Sequence, residues 1–149
     1  MFSFDLFKTQ LEGKSIFLFS SSQINSPDPH FFICLGEKGG RVLTFVCCTT
    51  QFEKRKRFIE QKGLPHQTLV WIKPDAENQL SKDTYIDCNK SFDFTLEELN
   101  MKYQKGEIRF IGQIIDTQFE QILLGIDASP LIEGEVKIFT GEILKKLFG

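Results

Sequence analysis

The sequence predicts a mainly β fold with added α: a small, strongly curved antiparallel half-barrel with a helix packed on it after the last strand. Three observations carry that expectation. Short apolar runs, each broken by Gly, Pro, Asn, Asp or Ser, recur along the chain with the length of strands rather than helices. Loops and a hairpin separate most of the runs, where a parallel sheet would need helical crossovers. One amphipathic stripe then follows the final run, which sets a helix where it can cover the sheet. With 149 residues, 41% of them hydrophobic and 16 of them Phe, the chain has the size and apolar content of one domain around one core.

Phe4, Phe7, Lys8 and Leu11 fall at roughly helical spacing, and Gly13 ends the pattern, so the fold begins with a short helix or arm. Ile16–Phe19 reads as the first strand, and the turn formers of residues 20–29, with Pro27 and Pro29, make a long loop. His30 opens a second strand over Phe31–Leu35. Residues 36–40 then carry the glycines that a hairpin with positive φ requires, and Arg41–Thr49 is the third strand. Residues 54–63 are polar and basic, and Gly63-Leu64-Pro65 stops them before a fourth strand at Thr68–Ile72. A loop over 74–80 leads to a fifth strand at Thr84–Cys88. Thr95-Leu96-Glu97-Glu98 is a capping-box sequence for a short helix around Leu99. Glu107–Ile115 reads as the sixth strand. From Thr117, Phe119, Ile122, Leu123 and Ile126 share one helical stripe, which Pro130 interrupts. The tail over 135–148 fits either a strand or a short helix.

Eighteen Lys and Arg against twenty Asp and Glu give a net charge of −2, so no global basic field exists and any nucleic-acid site must be local. Cys34, Cys47, Cys48 and Cys88 lie inside apolar runs without CxxC pairs or His at metal spacing; they read as buried thiols of a cytoplasmic protein, with no metal expected. The N-terminus lacks the pattern of a secretory signal, and no run approaches the length of a membrane span. Ser/His/Asp constellations and the glycine-rich phosphate loops are missing too, which disfavours those enzyme classes.

The most specific feature is a pair of strands. Residues 30–35 and 42–51 are largely apolar, and the second ends in the hydroxyls Thr49-Thr50 and runs almost directly into Lys54-Arg55-Lys56-Arg57. This arrangement resembles the MazF/PemK-like toxins, endoribonucleases of bacterial type II toxin–antitoxin systems. In that family a proline-containing turn enters one strand, and a glycine-rich hairpin leads to another ending in a Thr-Thr-Gln-type signature, here Cys48-Thr49-Thr50-Gln51. Asp87-Cys88-Asn89-Lys90-Ser91-Phe92 looks like the family's acidic-x-x-basic-hydroxyl-apolar strand. Residues 106–126, with Ile111-Gly112, look like its C-terminal element. The resemblance spans about residues 14–127, and 128–149 form an extension without a counterpart.

The resemblance implies an SH3-like barrel, a homodimer, a small antitoxin protein as partner, and cleavage of single-stranded RNA without metal or other cofactor. Members commonly use an Arg beside the proline that enters the second strand, together with the Thr that matches Thr49. Here the stretch is Asp28-Pro29-His30, so the Arg is absent and His30 is the nearest ionisable substitute. An ordinary histidine titrates near pH 6.5, which suits a general acid or base. The competing reading makes His30 a strand-entry residue bonded to its loop, and Thr49 a turn former. Lys54, Arg55, Lys56 and Arg57, flanked by Phe52 and Phe58, suit single-stranded RNA, because phosphates need charge and unstacked bases need aromatic faces. A solvated loop or helix face accounts for them as well. Thr50 and Lys90 are further RNA-binding candidates, with Arg41 and Ser91 weaker, while His66, in a loop after Gly-Leu-Pro, reads as structural or merely exposed. Trp71, among Leu69, Val70 and Ile72, reads as core, and Tyr85 and Asp87 as neighbours on one strand face. Replacement of the family Arg leaves a second reading open, a non-catalytic SH3-like interaction module that binds a partner protein or nucleic acid.

Overall fold

The computed structural model describes the backbone of residues 2–149 and side chains from Asp5 onward, so Phe4 of the expected first helix lies outside the described side chains. The chain is a mixed α/β structure built on one seven-stranded antiparallel sheet. Its elements are α1 (Phe2–Gln10), β1 (Ser15–Phe19), β2 (His30–Lys38), β3 (Val42–Thr49), α2 (Phe52–Gln61), β4 (Leu69–Ile72), β5 (Thr84–Asp87), β6 (Phe92–Thr95), α3 (Leu96–Gln104), β7 (Ile108–Gln113), α4 (Asp116–Ala128) and α5 (Gly134–Phe148). A turn of 3-10 helix, His66–Thr68, leads into β4.

The strand order is β4-β5-β3-β2-β1-β7. β3 carries β2 along one edge and divides the other between two partners: its start pairs with β6 through Val42–Phe45, and its end with β5 through Cys48 and Thr49. One strand thus serves two neighbours on the same edge. Its outer strands, β4 and β7, do not pair with each other, and the sheet stays open.

The apolar runs are continuous because both faces of the sheet are covered. On one face Ile16, Ile33, Val46, Ile72 and Ile86 meet Phe119, Ile122 and Ile126 of α4 and Val136 of α5. On the other, Phe17, Phe19, Phe32, Phe45 and Phe94 pack with Phe7 of α1 and Leu99 of α3. Rings in this second core stack or meet edge to face; Phe19 lies on Phe32 at 4.3 Å, and Phe94 meets both at steep angles. The Phe content thus builds a core layer of its own.

Two expectations change, and two readings left open by the sequence are decided. A further strand, β6, runs directly into the capping box at Phe92–Thr95, where the sequence reading set no separate strand, raising the strand count from six to seven. The capping box itself forms: Thr95 Oγ1 accepts from the Glu98 N–H at 3.1 Å, and Glu98 accepts in return. The hairpin is shorter than residues 36–40, because β2 continues to Lys38 through a bulge at Gly36, whose φ of 151° suits glycine. Gly39 and Gly40 take the positive φ expected of the turn. Finally, the basic stretch is helix α2 and the tail is helix α5, so two helices follow the last strand.

Close approach fixes the far end of the sheet. A Cβ on Gly112 of β7 would collide with the Glu77 carbonyl oxygen, because the loop over 74–80 folds directly onto that strand. Gln113 donates its N–H to the same carbonyl at 3.1 Å, and Asn78, fully buried, holds the loop's turn through its side chain. Among the described residues, no helix is long and apolar enough to cross a membrane.

Candidate functional site

β2 and β3 are antiparallel neighbours whose register pairs Ile33 with Val46 and Phe32 with Cys47. Continued toward the start of β2, the same register sets His30 opposite Thr49. The two side chains line one pocket of about 270 Å³ with Pro29, Phe31, Cys48, Thr50, Gln51 and Thr84. The structure therefore brings together both catalytic candidates and Thr50, from segments nineteen residues apart in sequence.

Local bonds define the proton inventory of the pocket. His30 Nδ1 lies 2.9 Å from the Asp28 carbonyl oxygen. A carbonyl only accepts, so Nδ1 donates and carries the proton, which leaves Nε2 of the neutral ring with the free lone pair. Thr49 Oγ1 accepts from the Gln51 N–H at 3.0 Å, and its own hydroxyl proton stays available for donation. The loop of Asp28 and Pro29 and the turn into α2 thus hold a proton acceptor and a hydroxyl donor on adjacent strands. Cys48, also in the lining, is buried, and burial drives its thiol well above the ordinary range, so it stays protonated and unreactive.

The basic run follows at once in α2, where consecutive residues step by about 100° and spread around the axis. Lys54, Lys56 and Arg57 are exposed, with the Lys56 ammonium 5.7 Å from the Phe52 ring centroid. Arg55 turns inward. Its guanidinium donates to Asp87 Oδ2 at 3.2 Å and lies 5.1 Å from the Phe58 ring centroid. Asp87 in turn accepts two bonds from Asn89, which bonds Thr68 and Ser129 in a buried network. Arg55 and Asp87 tie α2 to the sheet, and the shared strand face expected of Tyr85 and Asp87 packs under α2, with Tyr85 against Phe52.

Lys90 and Ser91 line a different pocket, beside Asp93, Glu133 and Glu135, which shares no lining residue with the His30 pocket. Arg41 is exposed and faces Glu97 at 3.5 Å, while His66 is exposed at the start of the 3-10 turn. Trp71 is not core: it is 48% exposed, because Val70 and Ile72 take the inward positions of β4 and leave Trp71 on the outer face. Sequence reasoning also passed over Arg109 of β7. It is exposed and lines a second pocket, of about 420 Å³, that shares Pro29 with the His30 pocket. Its only signal in the sequence was a cation alternating with apolar residues in a strand.

No protein-family model matches the chain, and no curated protein matches it.

Proposed function

We propose that the protein is a metal-independent endoribonuclease of the MazF/PemK-like type, the toxin of a toxin–antitoxin pair, with its curved sheet as an SH3-like half-barrel. The convergence of His30 and Thr49 in one pocket, with Nδ1 of His30 anchored on the Asp28 carbonyl, carries this reading. His30 Nε2 takes the proton of a ribose 2′-hydroxyl, O2′ attacks the adjacent phosphorus, and the bond to O5′ breaks. The imidazolium then returns its proton to O5′, leaving a 2′,3′-cyclic phosphate and a 5′-hydroxyl. Thr49 donates its hydroxyl to a phosphoryl oxygen as charge builds there. Lys54, Lys56 and Arg57 attract the strand, and Arg109, across Pro29, supplies a further cation toward the phosphate chain. The enzyme works in the cytoplasm as a homodimer held inactive by its antitoxin.

A non-catalytic binding module is the second reading, favoured by one observation: His30 is the only side chain able to carry positive charge among the pocket's lining residues. Incubation with a mixed-sequence single-stranded RNA and with its DNA counterpart in EDTA separates the two. The nuclease reading requires that RNA is cut and DNA is not, because only RNA carries the attacking hydroxyl; cutting of both strands contradicts it. Binding of intact RNA by the folded protein establishes the module.

A further inference from the structure

β4 is an outer strand of the sheet, and no strand among the described residues pairs with its outer edge. Its register on β5 sets Val70 opposite Ile86 and Trp71 opposite Tyr85, and the Cys88 N–H donates to the Thr68 carbonyl at 2.7 Å. An antiparallel ladder bonds every second pair, so the bonds to β5 fall on Thr68, Val70 and Ile72. Trp71 therefore turns its N–H and C=O away from β5, and Leu69 turns its C=O the same way, while the Leu69 N–H caps the 3-10 turn on the His66 carbonyl. The four residues of β4 leave an open edge about 13 Å long.

Beside that edge opens a cavity of about 670 Å³, with Leu69 and Trp71 on one side and Gln118, Gln121 and Leu124 of α4 on the other. α4 packs on the inner face of the sheet with Val70 and Ile72, so its flank overhangs the place that a further strand would take. Two large apolar side chains stay exposed there: Trp71, 48%, on the outer face, and Leu124, 44%, on the overhanging helix. Successive side chains of a strand point to alternate faces, so a strand added at this edge covers both. The cavity shares no lining residue with the His30 pocket, and a ligand held there is independent of the nuclease reading.

We propose that the β4 edge docks an extended segment of a partner protein, which joins the sheet as an antiparallel strand. The backbone selects the class of ligand, because N–H and C=O groups at strand spacing are matched by another extended chain. The outer row selects its sequence. Leu69, Trp71 and, just past the strand end, Lys73 alternate along β4, with the Lys73 ammonium 4.8 Å from the Trp71 ring centroid. Their cross-strand complements are an apolar residue, a β-branched or aromatic residue and a carboxylate. Read in the antiparallel direction the segment is acidic-x-apolar-x-apolar, and its x positions lie under the flank of α4.

The probe is a capped heptapeptide of that pattern, Ser-Glu-Thr-Val-Ile-Val-Ser, and Trp71, the only tryptophan of the chain, reports its arrival. The full-length protein is titrated with this peptide and with two N-methylated forms, and a saturable change in fluorescence is expected from the parent. Methylating both Val amides, which face β4, weakens binding about tenfold or more, whereas methylating the Thr and Ile amides, which face away, changes it by less than about twofold. Lys73→Glu weakens the parent peptide about two- to fivefold and favours a peptide with Lys in place of its Glu. Absence of saturation by the parent overturns the proposal, as does equal weakening by the two methylation patterns. A Trp71 signal that follows protein concentration alone, with a dimer in sedimentation that the peptide does not displace, assigns the edge to a second copy. Saturation by a short oligouridylate and not by the peptide assigns the cavity to nucleic acid, and either result contradicts the proposal.

Discussion

Arg55 and Arg57 stand two residues apart in one basic run, and the structure gives them opposite jobs. The Arg55 guanidinium and the Asp87 carboxylate are 28% and 10% exposed and 3.2 Å apart, which places the pair between a surface ion pair and a fully buried one. Exposed pairs contribute at most about 1 kcal/mol, whereas removing one partner of a buried pair costs about 3 to 5 kcal/mol. Arg55→Ala leaves Asp87 charged, nearly enclosed, and supported only by Asn89, and it also removes the packing on Phe58. The expected loss is about 2 to 3 kcal/mol, or about 4 to 12 °C in Tm for a domain of this size. Arg57→Ala, on the exposed side of α2, should change stability by less than about 0.5 kcal/mol. Urea denaturation of both variants, followed by circular dichroism, measures the difference. Equal midpoints would refute the structural assignment of Arg55 and return it to the RNA-binding set.

Replacing Lys54, Lys56 and Arg57 together by Gln should lower the slope of log affinity against log salt for single-stranded RNA by about 2, at about 0.7 per lost phosphate contact; a filter-binding series across salt measures it. Gly112→Ala drives a Cβ into the Glu77 carbonyl and should cost about 1 to 3 kcal/mol in urea, whereas Gly141→Ala in α5, which meets nothing within 4 Å, should gain about 0.5 to 1 kcal/mol. Burial pushes the Cys34 thiol from 9.0 up to about 12. Below pH 9 both folded and unfolded chains hold that proton and stability is unaffected; above it the unfolded chain releases the proton first. Stability therefore falls by about 1.4 kcal/mol per pH unit from this thiol as pH rises toward 12, and Cys34→Ala should remove that share of the alkaline slope.

The β2–β3 pair and its approach to α2 were legible because strand-length apolar runs, a glycine hairpin and a terminal Thr-Thr-Gln are local signals. His30 and Thr49 meet through register alone, which an antiparallel pair with a short turn nearly dictates. β6 was hidden because Phe92–Thr95 is only four residues long and passes straight into the α3 cap. α2 lacks an apolar stripe, burying fully only Ile59, so its helix could not be told from a basic loop. In α5, Val136, Thr140, Ile143 and Leu144 keep helical spacing, yet their β-branched members also suit a strand. Trp71 shows the sharper limit: in Leu69-Val70-Trp71-Ile72 every residue is apolar, and only the tertiary fold decides which alternate positions face inward. Arg55 reads as one cation of four because its partner, Asp87, lies thirty-two residues away.

Whether His30 moves the proton in RNA cleavage is open to chemical rescue. Wild type and His30→Ala, both shown to be folded and free of inhibitor, are incubated with single-stranded RNA in EDTA, with and without free imidazole. Loss of a general acid–base should lower the rate by about a hundredfold or more. Proton transfer through His30 requires cleavage by wild type, its loss in His30→Ala, and partial return when imidazole is supplied; cleavage by His30→Ala at the wild-type rate, or intact RNA with the wild-type protein, contradicts it.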